Sequence, residues 1–209
     1  MTTIKDISGI RVGALRSLKP ILDKWSKLTN VENWFLGPDA TWWNNERATL
    51  SVFAGAIWRC QGLVMEEFAT EKTMRSESKV GRCDITFRIK QKVFLGEAKQ
   101  QWPLLIKKNA RENLEETNRI IKRACSESLH TKDLRATHLG IVFITPRIHH
   151  GKRQFLDDFL LEYVNTLSVR RDITLAWQFP KWARDLHSLE SGSENYIYPG
   201  VIMVIKKAN

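Results

Sequence analysis

Residues 81–99 read Gly-Arg-Cys-Asp-Ile-Thr-Phe-Arg-Ile-Lys-Gln-Lys-Val-Phe-Leu-Gly-Glu-Ala-Lys. Residues 82–89 alternate as a half-buried strand does, and 93–98 form an almost wholly apolar run, which predicts a strand covered on both faces. Lys90-Gln91-Lys92 has the length and polarity of a tight turn, so the two runs are expected to form a hairpin. Side chains two apart on a strand share a face, which puts Glu97 and Lys99 together with Ala98 opposite. Asp84 lies near the start of the first strand and Glu97 near the end of the second, so the hairpin brings both to one end of the sheet.

Downstream, Trp102-Pro103 is expected to open a long helix, with proline in the tolerated first turn and Ile106, Ala110, Leu114, Thr117, Ile121 and Ala124 on its buried face. Residues 139–145 read as a buried strand stopped by Pro146, 155–167 as a helix, and 173–179 and 201–205 as strands. Upstream, 63–69 reads as a strand and 70–79 as a polar connection. Residues 45–60 have helical spacing (Leu50, Phe53, Ala54, Ile57), with Asn44 as N-cap and Gly62 as the stop. Residues 33–43 are expected to be a loop around Gly37-Pro38-Asp39, anchored by Trp34, Phe35, Trp42 and Trp43. Residues 11–28 read as a helix that Pro20 bends or shortens. A hairpin followed by a strand–helix–strand crossover gives a mixed sheet with helices on both faces, an α/β fold. Residues 44–209 form its domain, and 1–43 are a helical extension packed on it.

Composition narrows the function. The 209 residues, 43% apolar and 27% charged, suit one globular domain rather than a disordered chain. No apolar run approaches the ~20 residues of a membrane span, and residues 1–10 lack a signal-peptide pattern, so a cytoplasmic protein without a membrane partner is expected. Cys60, Cys83 and Cys125 are too widely spaced for a zinc motif. There is no Walker loop, dinucleotide fingerprint or GxSxG elbow. A net charge of +10 and an isoelectric point of 9.7 favour a polyanionic partner, nucleic acid first among them.

Two carboxylates and a lysine converging on an apolar hairpin call for a bound cation or an ion pair. Carboxylate oxygens suit Mg²⁺ or Mn²⁺, which polarises a phosphodiester and acidifies a bound water. Lys99 could hold or deprotonate that water, or neutralise the transition state. Glu46 precedes Leu50, Phe53 and Ile57 by four, seven and eleven residues, so it projects from the apolar side of its helix toward the sheet. The plainer alternatives are a surface ion pair on the hairpin and a Glu46 that only complements the helix N-terminus.

A helix with an early Glu, a strand opening Gly-Arg-x-Asp, a partner strand ending Glu-x-Lys, then a long helix and a buried strand resemble the PD-(D/E)XK nuclease superfamily over residues 46–145. The resemblance implies a restriction-endonuclease-like αβββαβ core, with the remaining helix and strands added after it. It implies Asp84, Glu97, Glu46 and the Ala98 carbonyl as metal ligands, Lys99 beside the attacking water, and DNA as substrate. Arg82, Gln100 and Gln101, which flank the motif, are candidate DNA contacts. Cys83 stands where the family name has proline.

The crossover also puts the end of strand 139–145 at the Glu97 end of the sheet. The loop beyond it carries Arg147, His149, Lys152 and Arg153, expected to grip phosphates flanking the scissile one. A solvated basic turn is the alternative. A homodimer joined through the 11–28 helix and Trp42-Trp43 remains an option, as do protein partners in a larger nucleic-acid-processing complex. The competing reading is a module on this fold that binds nucleic acid or assembles with protein without cutting.

Overall fold

The computed structural model describes residues 7–31, 40–74, 77–106, 110–131, 133, 135–185 and 196–209. In chain order they form β1 (Ile7–Arg11), α1 (Lys19–Thr29), α2 (Thr41–Asn44), α3 (Glu46–Arg59), β2 (Leu63–Met74), β3 (Glu77–Ile89), β4 (Lys92–Gln101), α4 (Ala110–Ser128), β5 (Thr137–Ile144), β6 (Ile148–His149), α5 (Leu156–Ser168), β7 (Ile173–Phe179), β8 (Tyr196–Ile197) and β9 (Val201–Lys207). Seven strands make one sheet in the order β1-β7-β9-β5-β4-β3-β2; β6 and β8 pair separately. The β4–β5 pairing is parallel and the others are antiparallel, so the sheet is mixed, as a hairpin joined to a crossover requires.

Alternation along the central strands divides the core in two. Leu139, Ile141 and Phe143 of β5 join Met203 and Ile205 of β9 beneath α1, α2 and α3. Val142, Ile144, Ile202 and Val204 face the other way, toward α4 and α5. The hairpin is fastened by Phe87 stacked on Phe94 at 4.8 Å and met edge-on by Phe53 of α3 at 5.8 Å. Such ring pairs contribute about 0.5–1.5 kcal/mol each beyond their burial. Lys90 takes the turn with φ of 54°. Among the described residues, no helix is long and apolar enough to cross a membrane.

Several elements depart from the sequence reading. Residues 7–11 are a strand paired with β7, and α1 begins only at Lys19, with Pro20 in its first turn. Residues 7–11 are therefore part of the sheet and α1 part of its core, so the described part of the N-terminal segment is not wholly helical. Residues 41–44 are a helical turn holding Trp42 in the core, whereas Trp34, Phe35 and the 37–39 turn lie outside the described residues. Asn45, not Asn44, caps α3, its side chain accepting the Ala48 N–H at 2.9 Å. The left-handed residue after α3 is Gln61, φ 59°, rather than Gly62.

The stretch expected to be a polar connection, 70–79, continues both strands instead: Thr70, Glu71 and Lys72 pair with Gly81, Val80 and Lys79. A two-stranded ribbon satisfies its backbone by its own ladder and needs no apolar alternation, which is why the pattern hid it. Helix α4 starts later than expected because residues 103–105 are committed elsewhere. Leu105 N donates to Arg147 O, and Arg147 N to Pro103 O, both at 2.9 Å. Ile106 is accordingly exposed, while Thr117, Ile121 and Ala124 are buried as read.

Candidate active site at a fork in the sheet

The β3–β4 ladder runs from Ile89↔Lys92 to Ile85↔Gly96 and stops. Beyond it β4 stays paired with β5, through Glu97↔Gly140 and Lys99↔Val142, while β3 stays with β2. The two strands part and the sheet forks. At the crotch Asp84 Oδ2 accepts the Ala98 N–H at 2.7 Å, a carboxylate taking the place of the missing strand. The β2–β3 ladder skips Glu67 and Asp84 at the same level, and Glu67 has φ of 50°. Past this break the ribbon continues as an arm whose far part meets the end of α4: Thr73 N donates to His130 O at 2.9 Å, and Lys72 bridges to Thr131.

Glu97 and Lys99 face α4, as their pairing with Gly140 and Val142 dictates. A Cβ on Gly140 would fall 2.7 Å from Cys125 Sγ and 2.8 Å from its backbone nitrogen. Only glycine lets α4 close on β5 there, and that approach sets Glu127 over the fork. Lys99 Nζ lies 2.9 Å from Glu127 Oε2 and 4.0 Å from Asp84 Oδ2, and donates to the Ala98 carbonyl at 2.8 Å. Glu97 is almost fully buried, and its Oε1 accepts from Lys72 Nζ at 2.6 Å.

Glu46 arrives from α3, on the opposite face, through the opening that β3 has left. Its position is set from both sides. Trp42 O, at the preceding turn, accepts from Gln100 Nε2 at 3.0 Å and from Thr145 Oγ1 at 3.2 Å, tying α2 to the ends of β4 and β5. The Asn45 cap, worth ~1 kcal/mol, then starts α3 so that the Glu46 carboxylate accepts the Gln100 N–H beside Lys99 and Asp84.

Burial dominates the electrostatics. It pushes Glu97 up to about 7, with the neighbouring Asp84 carboxylate adding to the rise and the hydrogen bond and charge of Lys72 opposing it. Burial also raises Glu46, with the charges of Asp84 and Glu127 adding to it and Lys99 and the Gln100 N–H opposing. For Lys99 burial acts downward, but the hydrogen bond and charge of Glu127, joined by Asp84 and Glu46, outweigh it and hold its pKa above the ordinary value. Lys99 is therefore a fixed ammonium, suited to donate and to balance charge rather than to accept a proton.

The fork thus gathers Asp84, Glu97, Lys99, Glu46 and the Ala98 peptide, together with Lys72 and Glu127, which the sequence did not single out. Glu127 looks like half of an exposed helix pair with Arg123, four residues earlier. Lys72 sat in a stretch read as a connection. Among the described residues, no three His, Cys, Asp or Glu side chains form a group that could hold a metal; here the cations at the carboxylates are Lys72 and Lys99.

The flanking residues are spread more widely. Arg82 is exposed, with Nη1 3.2 Å from Glu67 Oε2. Gln100 braces α2, and Gln101 turns into the core to donate to Thr117 Oγ1 at 2.6 Å, which in turn lies 2.7 Å from the Tyr163 hydroxyl. Both glutamine side chains are structural ties rather than surface groups. Beyond the same ends of β4 and β5, Arg147 lies 5.1 Å over the Tyr196 ring. His149 accepts the Gly151 N–H at 3.1 Å, and Lys152 and Arg153 are exposed in the following 3-10 turn. Compared with family models, curated proteins and solved structures, the chain matches none.

Proposed function

We propose that this chain is a nuclease of the PD-(D/E)XK type, a Mg²⁺-dependent endonuclease hydrolysing phosphodiester bonds in DNA, with Mn²⁺ able to substitute. The observation that carries the reading is the gathering of charge where β3 and β4 part: Asp84 holds the Ala98 N–H at 2.7 Å, the Lys99 ammonium lies 4.0 Å from Asp84, and Glu97 is buried at the adjoining position of β4. The succession α3-β2-β3-β4-α4-β5 supports the same likeness, since it is the αβββαβ order of restriction-endonuclease-like cores.

The donor set fits the cofactor. Mg²⁺ keeps several waters and is held by one or two carboxylates plus substrate phosphate rather than by an all-protein cage. Asp84 and Glu97 would supply those oxygens, the Ala98 carbonyl one more, and Glu46 a further acceptor. When bound, the metal supplies Lewis-acid polarisation and a more acidic water. The chain's own groups do the rest. Asp84, fixed by the Ala98 N–H, and Glu97, backed by the β4–β5 ladder, hold two carboxylates at the fork. Lys99, tethered by Glu127 and the Ala98 carbonyl, presents a permanent positive charge to the oxygen on which negative charge grows during phosphoryl transfer. Glu46 carries a raised pKa beside that charge and can hold a water or its proton. Arg147, Lys152 and Arg153, past the same end of the sheet, supply phosphate contacts that position DNA without reading its sequence.

The test is cleavage of supercoiled plasmid and of labelled duplex, single-stranded and branched DNA, with Mg²⁺ and with EDTA, by wild type and Asp84→Asn. Metal-dependent cutting by wild type alone is expected. Equal cutting by both proteins sinks the assignment; salt-sensitive binding without cutting on every substrate favours the non-catalytic module.

A further inference from the structure

Most ion pairs among the described residues lie on the surface, where solvent leaves them worth ~0–1 kcal/mol. The Lys72–Glu97 pair differs: the side chains are 18% and 4% exposed and 2.6 Å apart. A buried carboxylate needs a counter-charge, and the fold supplies one from the arm rather than from the sheet around it. Lys72 comes from a ribbon that leaves the sheet at the fork, is kinked at Glu67, and is fastened beyond the kink by the Thr73–His130 hydrogen bond and the Lys72–Thr131 bridge. The carboxylate it covers is one assigned above to a divalent cation. An ammonium and a metal cannot share those oxygens at bonding distance without strong like-charge repulsion.

We propose that Lys72 is the exchangeable counter-ion of this site: a divalent cation and the Lys72 ammonium compete for Glu97, and loading the cation detaches Lys72 and loosens the arm from the end of α4. The inference rests on the metal-site reading. It gives the arm a purpose, because in the metal-free protein the arm lies across the fork, and releasing it uncovers the carboxylates when the cofactor is present.

The experiment uses the full chain, stripped with EDTA and titrated with Mn²⁺ by calorimetry, while hydrogen exchange of the Thr73 amide is followed by mass spectrometry of overlapping fragments. In wild type, Mn²⁺ is expected to speed Thr73 exchange. In Lys72→Met, that amide should exchange quickly before any metal is added, and Mn²⁺ should bind about tenfold tighter or more, since a competing charge is gone. Lys72→Arg, which keeps the charge, should retain the slow exchange and the weaker binding. If Lys72→Met does not fold, the wild-type exchange response and the Lys72→Arg comparison decide. Mn²⁺ binding that Asp84→Asn abolishes, but that leaves Thr73 protection unchanged in wild type, overturns the inference and spares the metal site. Absence of Mn²⁺ binding in wild type overturns both.

Discussion

Asp84 Oδ2 and the backbone nitrogen of Ala98 are 2.7 Å apart, so a side chain of β3 completes the hydrogen bonding of β4 where the two strands part. One carboxylate thus has two separable duties, holding the fork and serving its chemistry. Asp84→Asn keeps an acceptor for the amide and removes the charge; Asp84→Ala removes both. We expect both variants to lose Mg²⁺-dependent cleavage. Only Asp84→Ala should also lose stability, by ~1–3 kcal/mol for an amide left without a partner. DNA binding should survive in Asp84→Asn, because phosphate contacts come from basic residues elsewhere. Urea unfolding beside a plasmid assay and a gel shift checks all three.

Lys99 should matter more than the group that holds it. Lys99→Ala is expected to lower the cleavage rate ~10²-fold or more, by removing charge stabilisation from the transition state. Glu127→Gln still accepts a hydrogen bond from Lys99 but loses its charge, so a smaller loss of ~10-fold is expected. Single-turnover rates at saturating DNA separate the two. Equal rates for Glu127→Gln and Glu127→Ala, both near wild type, would show that Lys99 needs no tether.

Stability of the metal-free protein should depend on pH through Glu97. Its folded-state pKa is raised from 4.5 to about 7. Between those values the folded state binds more protons than the unfolded state, so its contribution is fully present below 4.5 and is lost as pH rises through 7. Urea midpoints in EDTA should therefore fall over that window for wild type. Glu97→Gln should lack that part of the slope, and parallel curves for the two proteins would place the titration elsewhere.

The loop after β5 should govern affinity. Reversing Lys152 and Arg153 to Glu is expected to weaken DNA binding and to flatten its salt dependence by ~0.9 log units for each phosphate the loop no longer grips. Arg147→Glu should also cost stability, because it replaces the guanidinium that lies over the Tyr196 ring with a carboxylate that the ring face repels. Binding isotherms at several salt concentrations give the slopes, and an unchanged slope marks the loop as a solvated turn.

The α3 cap offers a test of how the site is positioned. Asn45→Ala should destabilise by ~1 kcal/mol, while Asn45→Asp, which can still cap, should not. If the cap also fixes Glu46, cleavage should fall in Asn45→Ala at temperatures where the protein remains folded, and Glu46→Ala should show a loss at least as large.

Sequence pattern served best where backbone period alone decides. Glu97 and Lys99 could be put on one face because strands repeat every two residues, and Asp84 could be brought to their end of the sheet because Lys90-Gln91-Lys92 has the length of a hairpin turn. The Leu50-Phe53-Ile57 stripe likewise aimed Glu46 correctly. Pattern was silent where the chain answers to something distant. Strand β1 is short, and its Gly9 is demanded by the Trp177 ring, which would lie 2.3 Å from a Cβ there; nothing within residues 7–11 announces that neighbour. Pro103 looked like a helix start because the backbone partner it shares with Leu105, Arg147, lies more than forty positions away. Lys72 escaped notice for a related reason: the half-buried side it shares with Thr70 is polar in sequence, and it is covered only because Glu97 lies against Lys72.

The strand order carries a consequence for how the molecule is made. β9 lies between β5 and β7 in the middle of the sheet, yet a ribosome produces it after every other strand described. Until residues 201–207 emerge, β5 and β7 each show an open apolar edge, and β1, the earliest strand, is paired only to β7. The sheet therefore cannot zip up from the N-terminus as it is synthesised. Its halves must wait for a late central insertion, a topology that folds slowly and leaves unpaired edges exposed to neighbouring chains. Expression at low temperature, or with chaperones that shield such edges, should raise the yield of soluble protein more than changes to its surface would.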